Sequence, residues 1–295
     1  NLTAGPISVY QKPEVSFIIP DNGCVNTPVP ITNTSNNGYT FNCDTTVTWF
    51  WDMGDGTTYS DFEPTHSYAN PGSYTISLYA QNHCGITEII THEICVEAAL
   101  IPEFTVSITE GCAPYSTTLS NTTVVENPCT IATFEWVINY IPDFCGTTNG
   151  ATFINGTDAT SKIAEIEFTA PGRYEIVLEG TNACGKASST PQEILVSAPP
   201  EVDIQPIGYL CGANPSVEPI ATVSNCSSES ATYFWSLDIG ASPIDWEFVN
   251  GTGPNSISPE INFYTLNNYV LSLEVTNSCG TTIDSETIMF SEVPT

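Results

Sequence analysis

The stretch Tyr74-Thr-Ile-Ser-Leu-Tyr-Ala-Gln-Asn82-His-Cys84-Gly85 has two counterparts further along the chain. They are Tyr174-Glu-Ile-Val-Leu-Glu-Gly-Thr-Asn182-Ala-Cys184-Gly185 and Tyr269-Val-Leu-Ser-Leu-Glu-Val-Thr-Asn277-Ser-Cys279-Gly280. In each, alternate positions are apolar: Tyr74/Ile76/Leu78, Tyr174/Ile176/Leu178 and Tyr269/Leu271/Leu273. A period of two marks a half-buried strand, and the Asn-x-Cys-Gly that follows is a turn. The turn cysteines are spaced by 100 residues (84 to 184) and then by 95 (184 to 279), so the chain reads as a threefold repeat.

Working outward, each repeat carries a tryptophan in a short alternating run: Trp51, Trp136 and Trp235, preceded two residues earlier by Trp49, Phe134 and Tyr233. A cysteine stands seven to nine positions before each tryptophan: Cys43, Cys129 and Cys226. Further upstream, Cys24 and Cys112 precede an aliphatic residue by seven positions and an Asn by nine, and Cys211 takes the corresponding place in the third repeat. Ile94-Cys-Val-Glu, Ile194-Leu-Val-Ser and Ile288-Met-Phe-Ser read as last strands, the first two running through Pro102 or Pro199-Pro200 into a fresh strand. Ile7-Ser-Val-Tyr followed by Pro13 has the same form. These landmarks predict an all-β chain of three tandem antiparallel sandwiches of short strands, without helical periodicity. The expected boundaries are residues 1–12 for the tail of a preceding repeat and its linker, 13–100, 101–199, and 200–295 including the start of a next linker.

Composition narrows the function. Four basic residues (Lys12, Lys162, Lys186, Arg173) face 33 carboxylates, a formal net charge of -29. Such a surface does not neutralise phosphates, which argues against nucleic acid and anionic lipid as partners. No apolar run approaches the roughly 18 residues of a membrane helix. Eleven cysteines without a C-x2-C pair favour disulfides in an oxidising, extracellular compartment over zinc.

Trp51-Asp-Met-Gly-Asp-Gly56, Pro64-Thr-His66-Ser-Tyr68 and Pro71-Gly72-Ser-Tyr74 together resemble the PKD domain, an immunoglobulin-like family whose signature is W-D-F-G-D-G, P-x-H-x-Y and G-x-Y-x-V-x-L. Met53 replaces the usual Phe. The second and third repeats keep the Tyr strand and the turn but read Trp136-Val-Ile-Asn and Trp235-Ser-Leu-Asp in place of the hexad. They also lengthen the stretch from Trp to Tyr from 23 residues to 38 and 34. The resemblance implies that His66 is structural. Gly54 and Gly56 suit a tight turn that Asp55 caps, and Asp52 and Asp55 are the only Ca2+ candidates, so no cofactor is otherwise expected. Gly111-Cys-Ala-Pro114 and Asn182-Ala-Cys-Gly185 are similar to repeats of very large cell-surface adhesins of gliding Bacteroidetes exported by type IX secretion.

The sandwich order places the loop after the second strand and the loop after the sixth at one end. On that basis the expected disulfides are Cys43–Cys84, Cys129–Cys184 and Cys226–Cys279, one per repeat. Cys24–Cys95 and Cys112–Cys145 follow at the other end, with Cys211 unpaired. Non-enzymatic function is expected, since His66, His83 and His92 stand at no catalytic spacing and no G-x-S-x-G or H-E-x-x-H occurs. Trp246, Phe248, Tyr140 and Phe144 lie in the lengthened stretches, as a sugar-facing surface or as the small core of those loops. Asn33, Asn121, Asn155 and Asn250 stand in N-x-S/T contexts. The reading is a segment of a long extracellular stalk or adhesin filament whose partners are further repeats, glycans or other surface proteins. The alternative is a carbohydrate-binding or accessory module of a secreted hydrolase.

Overall fold

The computed structural model describes residues 11–38, 46–126, 128–142, 145–146, 148–240 and 242–291. Residues 1–10 of the expected preceding tail, Cys43, Phe144 and residues 292–295 of the expected next linker lie outside the described residues. All regular structure among the described residues is β-strand. Among the described residues no helix is long and apolar enough to cross a membrane.

In the first repeat one sheet runs in the order Asn22–Cys24, Ile90–Glu97, Gly72–Asn82, Thr48–Asp52, Thr58–Tyr59, with Gly85–Ile86 folded back on Gly72–Asn82. The pair Phe17–Ile18 and Thr32–Asn33 forms the opposing layer, extended by bridges from Glu14 to Asn36 and from Val29 to His66. Phe17, Val29 and Ile31 from that layer join Trp49, Trp51, Ile76, Leu78, Ala80, Ile94 and Val96 in one buried core. The alternation read from the sequence is what buries Ile76, Leu78 and Ala80 on one side of their strand.

The second repeat has a four-stranded sheet (Ala151–Phe153, Ile163–Phe168, Tyr115–Asn121, Phe104–Val106). Its other sheet runs Glu110–Cys112, Gln192–Ser197, Gly172–Asn182, Thr133–Ile141, with Gly185–Ser188 beside Gly172–Asn182. The third is built from Thr232–Leu237, Tyr269–Asn277 and Gly280–Ile288, from Ser216–Val217, Ile261–Phe263 and Trp246–Phe248, and from Glu201–Ile204 with Ala221–Ser224. Two-sheet, mostly antiparallel layering of this kind is the immunoglobulin-like sandwich, repeated in tandem.

The two sequence landmarks have the same role in every repeat. The indole Nε1 of Trp51, Trp136 and Trp235 donates to the backbone carbonyl of Asp61, Ser161 and Ser256 at 3.0, 2.8 and 3.0 Å. The hydroxyls of Tyr74, Tyr174 and Tyr269 donate to the carbonyl four residues back, at Asn70, Ala170 and Thr265. This is the corner bond that fixes the entry of the sixth strand in such sandwiches. Both aromatic side chains thus bury a large apolar body while their polar tip is satisfied.

The early strand and the last strand of each repeat run parallel, with Asn22 opposite Cys95, Glu110 opposite Leu195, and a single bridge of Leu210 to Phe290 in the third. By its contacts the chain divides into two compact units. One comprises Asn1–Phe104, Asn121–Glu135 and Leu178–Thr190; the other comprises Thr105–Ser120, Trp136–Val177 and Pro191–Thr295.

Candidate functional site: disulfide-bonded joints between repeats

Four disulfides form among the described residues, and each joins a cysteine of one repeat to a cysteine of the next. In the first compact unit these are Cys24–Cys184 and Cys95–Cys129; in the second, Cys112–Cys279 and Cys145–Cys226. Their Cα separations of 5.5–5.6 Å lie in the ordinary range for a disulfide. Four expected pairings within repeats are therefore corrected: Cys129–Cys184, Cys226–Cys279, Cys24–Cys95 and Cys112–Cys145. For Cys43–Cys84, Cys43 lies outside the described residues and Cys84 carries a free, exposed thiol. Cys211 is also a free, exposed thiol.

The reason for the correction is visible at the first joint. Cys129 and Cys184 do come from loops at the same end of the second repeat, but the Glu97 side chain of the first repeat stands between those loops. Glu97 is 1% exposed. Its Oε2 accepts from the backbone N–H of Cys129 at 3.0 Å and of Thr130 at 3.4 Å. Its Oε1 accepts from the Thr130 hydroxyl at 3.0 Å and from the Ala183 N–H at 2.7 Å. A buried carboxylate is stabilised when its lone pairs are filled in this way. Each loop cysteine then turns to the neighbouring repeat, where the ends of the two parallel strands supply Cys24 and Cys95.

The Asn-x-Cys-Gly sequence has a mechanical explanation. Asn182 and Gly185 pair across a two-residue turn, as do Asn277 and Gly280, and Asn82 and Gly85. Gly85, Gly185 and Gly280 sit at φ of 131°, 114° and 146°, which glycine tolerates best. The Asn Oδ1 accepts from the cysteine N–H in all three, at 2.8, 3.0 and 2.8 Å for Cys84, Cys184 and Cys279. This is an Asx turn. The same side chain's Nδ2 then donates outward: Asn182 to Ala98 O and Asn277 to Ala198 O, both at 2.8 Å. One asparagine shapes the turn that presents the sulfur and grips the exit of the preceding last strand.

The second joint replaces the carboxylate with hydroxyls. Ser197 holds the place of Glu97 and is 3% exposed. Here Ser227 Oγ meets Ser278 Oγ at 3.0 Å, Ser228 Oγ donates to Glu110 Oε1 at 2.9 Å, and Ala198 N donates to Cys226 O at 2.8 Å. Glu97 carries a signal in the sequence, as the charged last residue of an otherwise apolar strand, Ile94-Cys-Val-Glu97. Nothing local in the sequence specifies what faces it.

The other predicted residues are placed as follows. Asp52 Oδ1 accepts from Gly54 N at 2.9 Å, and Asp55 Oδ1 accepts from Thr57 N at 2.9 Å. Asp55 Oδ2 lies 3.0 Å from His66 Nε2, and His66 Nδ1 is 3.2 Å from the Tyr59 hydroxyl. Burial pushes the Asp55 carboxyl up, but the bonds from Thr57 and the neighbouring His66 outweigh it and hold the group below its ordinary value. Gly54, at φ 77°, brings the turn so close that a Cβ there would stand 2.7 Å from Thr75 O. Among the described residues no group of three or more His, Cys, Asp or Glu side chains is arranged to hold a metal.

Trp246 and Phe248 lie on a strand paired with Ile261–Phe263, meet edge-to-face at 5.7 Å, and pack against the third core; Trp246 Nε1 donates to Ile239 O at 3.1 Å. Tyr140 tilts against Tyr174 at 5.4 Å and donates to Cys145 O at 3.2 Å, beside the Cys145–Cys226 bond. Asn155 and Asn250 occupy positive φ of 55° in matching hairpins, with their amides on Glu165 and Glu260. Asn33 donates to Phe62 O and caps Ser35 N, and Asn121 caps Thr123 N.

Among solved structures the chain is similar to an I-band fragment of titin, with a TM-score of 0.48 and 13% identity over 97% of this chain and 100% of that one. It is likewise similar to the N-terminal eight Ig domains of Down Syndrome Cell Adhesion Molecule, with a TM-score of 0.48 and 12% identity over 96% of this chain and 37% of that one. A stretch of 52 residues, 18% of the chain, is 38% identical to a microbial collagenase of Vibrio alginolyticus and spans 6% of that protein's length. Residues 10–96, the repeat that carries the Trp51–Gly56 hexad, match the family model of the PKD domain.

Proposed function

We propose that this chain is a force-bearing, non-enzymatic segment of an extracellular repeat protein, in which successive repeats are covalently cross-linked. The three repeats 13–100, 101–199 and 200–295 act as its domains. The observation that supports this is the direction of the disulfides: all four among the described residues join neighbouring repeats. A bond within a repeat stabilises that repeat alone. A bond between repeats carries tension past the linker and keeps neighbours together when one opens. Such bonds form in oxidising compartments, which supports an extracellular location. The finer reading, a stalk or adhesin of gliding, type IX-secreting Bacteroidetes that presents a binding surface to glycans or surface proteins, rests on the resemblance of the repeats.

Pulling single molecules by their ends tests the mechanical role. Cys24–Cys184 bypasses 160 residues of a 295-residue chain, so the oxidised chain should extend to less than half the length of the reduced one. Equal extension in both redox states would remove the mechanical reading. The likeness of 52 residues to a microbial collagenase favours one second reading, an accessory module beside a hydrolase in the parent protein. Collagen binding by the isolated chain would support that one.

A further inference from the structure

Cys84 and Cys211 are free and exposed, yet each occupies a position that is bonded elsewhere in the chain. Cys84 is the turn cysteine of the first repeat, equivalent to Cys184 and Cys279, and it makes the same Asx turn with Asn82. Cys211 is the early-strand cysteine of the third repeat. Cys24 and Cys112 follow by one residue the positions paired with Val96 and Val196, and Cys211 follows by one residue the position bridged to Phe290. Both observed bonds of this class run from an early-strand cysteine to the turn cysteine of the next repeat. Asn82 Nδ2 donates to Gln11 O at 3.1 Å, as Asn182 and Asn277 do to Ala98 and Ala198. The same outward amide bond is thus made at the first repeat, to the backbone of Gln11, at the place where a bonded sulfur follows in the other two.

We propose that Cys84 and Cys211 are the two open halves of a joint. Cys84 bonds the early-strand cysteine of a repeat docked before it, and Cys211 bonds the turn cysteine of a repeat docked after it. This deepens the reading of the joints as covalent and rests on it. The occupant is another repeat of this kind, and a second copy of the chain supplies one at either end. When the two thiols join, one S–S bond forms, and two protons and two electrons pass to a disulfide oxidant, which is reduced to two thiols.

The test uses the whole chain with oxidised glutathione as the oxidant. Cys84→Ser and Cys211→Ser variants are incubated separately and mixed, then resolved on non-reducing gels and mapped by peptide mass spectrometry. The mixture should yield a covalent dimer carrying a Cys84–Cys211 peptide, absent from either variant alone, while the wild-type chain continues to longer oligomers. A Cys43–Cys84 peptide within one chain, equal cross-linking in the single variants, or a mixture without the Cys84–Cys211 peptide overturns the proposal. The same map reports the four internal bonds. If they are present and Cys84–Cys211 is absent, only this inference fails; if they are absent, the covalent reading of the joints fails first.

Discussion

The two joints share their turn but differ in their filling and in one sulfur. In the first, the loop cysteine Cys129 reaches Cys95 on the last strand of the preceding repeat. In the second, Leu195 holds the place of Cys95, and Cys226 reaches Cys145 on a loop instead. The first joint closes around the Glu97 carboxylate, the second around the hydroxyls of Ser227, Ser228 and Ser278. Unchanged in both are the bond from early strand to turn and the asparagine amide on the preceding strand's exit. The constant parts set where one repeat meets the next; the variable parts only have to fill the contact without leaving a polar group unpaired.

Removing disulfides should give the largest effect and should not distinguish the joints. Cys24 with Cys184 changed to Ser, or Cys112 with Cys279, opens loops of 160 or 167 residues. In the chain-entropy account each bond taken alone contributes about 5 kcal/mol, read from guanidinium unfolding of each variant. A markedly unequal loss would show that one joint is held mainly by its non-covalent contacts.

Glu97 should separate the joints. Glu97→Ala strands the N–H groups of Cys129, Thr130 and Ala183, and about 3 kcal/mol of destabilisation is expected. Ser197→Ala at the equivalent place should cost under about 1 kcal/mol, because hydroxyls elsewhere do the bonding. Glu97→Gln should fall between, since an amide oxygen replaces only part of the acceptor set. Comparable losses for Glu97→Ala and Ser197→Ala would dissolve the distinction.

Asn182→Ala and Asn277→Ala should each cost about 1 kcal/mol, equally in both joints, through the lost amide bond and the lost Asx turn. Hydrogen exchange at the Cys184 and Cys279 amides reads the effect directly.

The smallest effect is confined to the first repeat, the one with the PKD hexad. The Asp55 carboxyl is held below its ordinary value of 3.8, so its contribution is present in full above that pH and is lost as pH falls through the lower folded value. Asp55→Asn should flatten the acid limb of the unfolding curve in that range and leave neutral stability within about 1 kcal/mol. An unchanged acid limb would show that the Asp55 carboxylate adds no pH-dependent stability.

Much of the fold was legible because its causes are local. Alternation buries one side of each sixth strand, the tyrosine hydroxyl is satisfied four residues back, and Asn-x-Cys-Gly specifies a turn from four residues. The aromatics of the lengthened stretches were readable only as two alternatives. The structure gives Trp246 and Phe248 to the third core and Tyr140 to the neighbourhood of a joint. The strand order also places the loops of Cys129 and Cys184 at one end of their repeat, where both meet Glu97.

The partners of those cysteines did not follow, and the reason is physical. A disulfide needs two Cα atoms within about 7 Å, and nothing in the spacing of Cys129 and Cys184 tells whether the nearest sulfur lies in the same repeat or in the one before. That was decided by the two strand ends of the preceding repeat, which place Cys24 and Cys95 opposite the two loops, while Glu97 fills the space between them. The chain's local chemistry determined the repeats and their strands; only the packed joint, where residues 160 positions apart meet, determined that the repeats are bonded to one another.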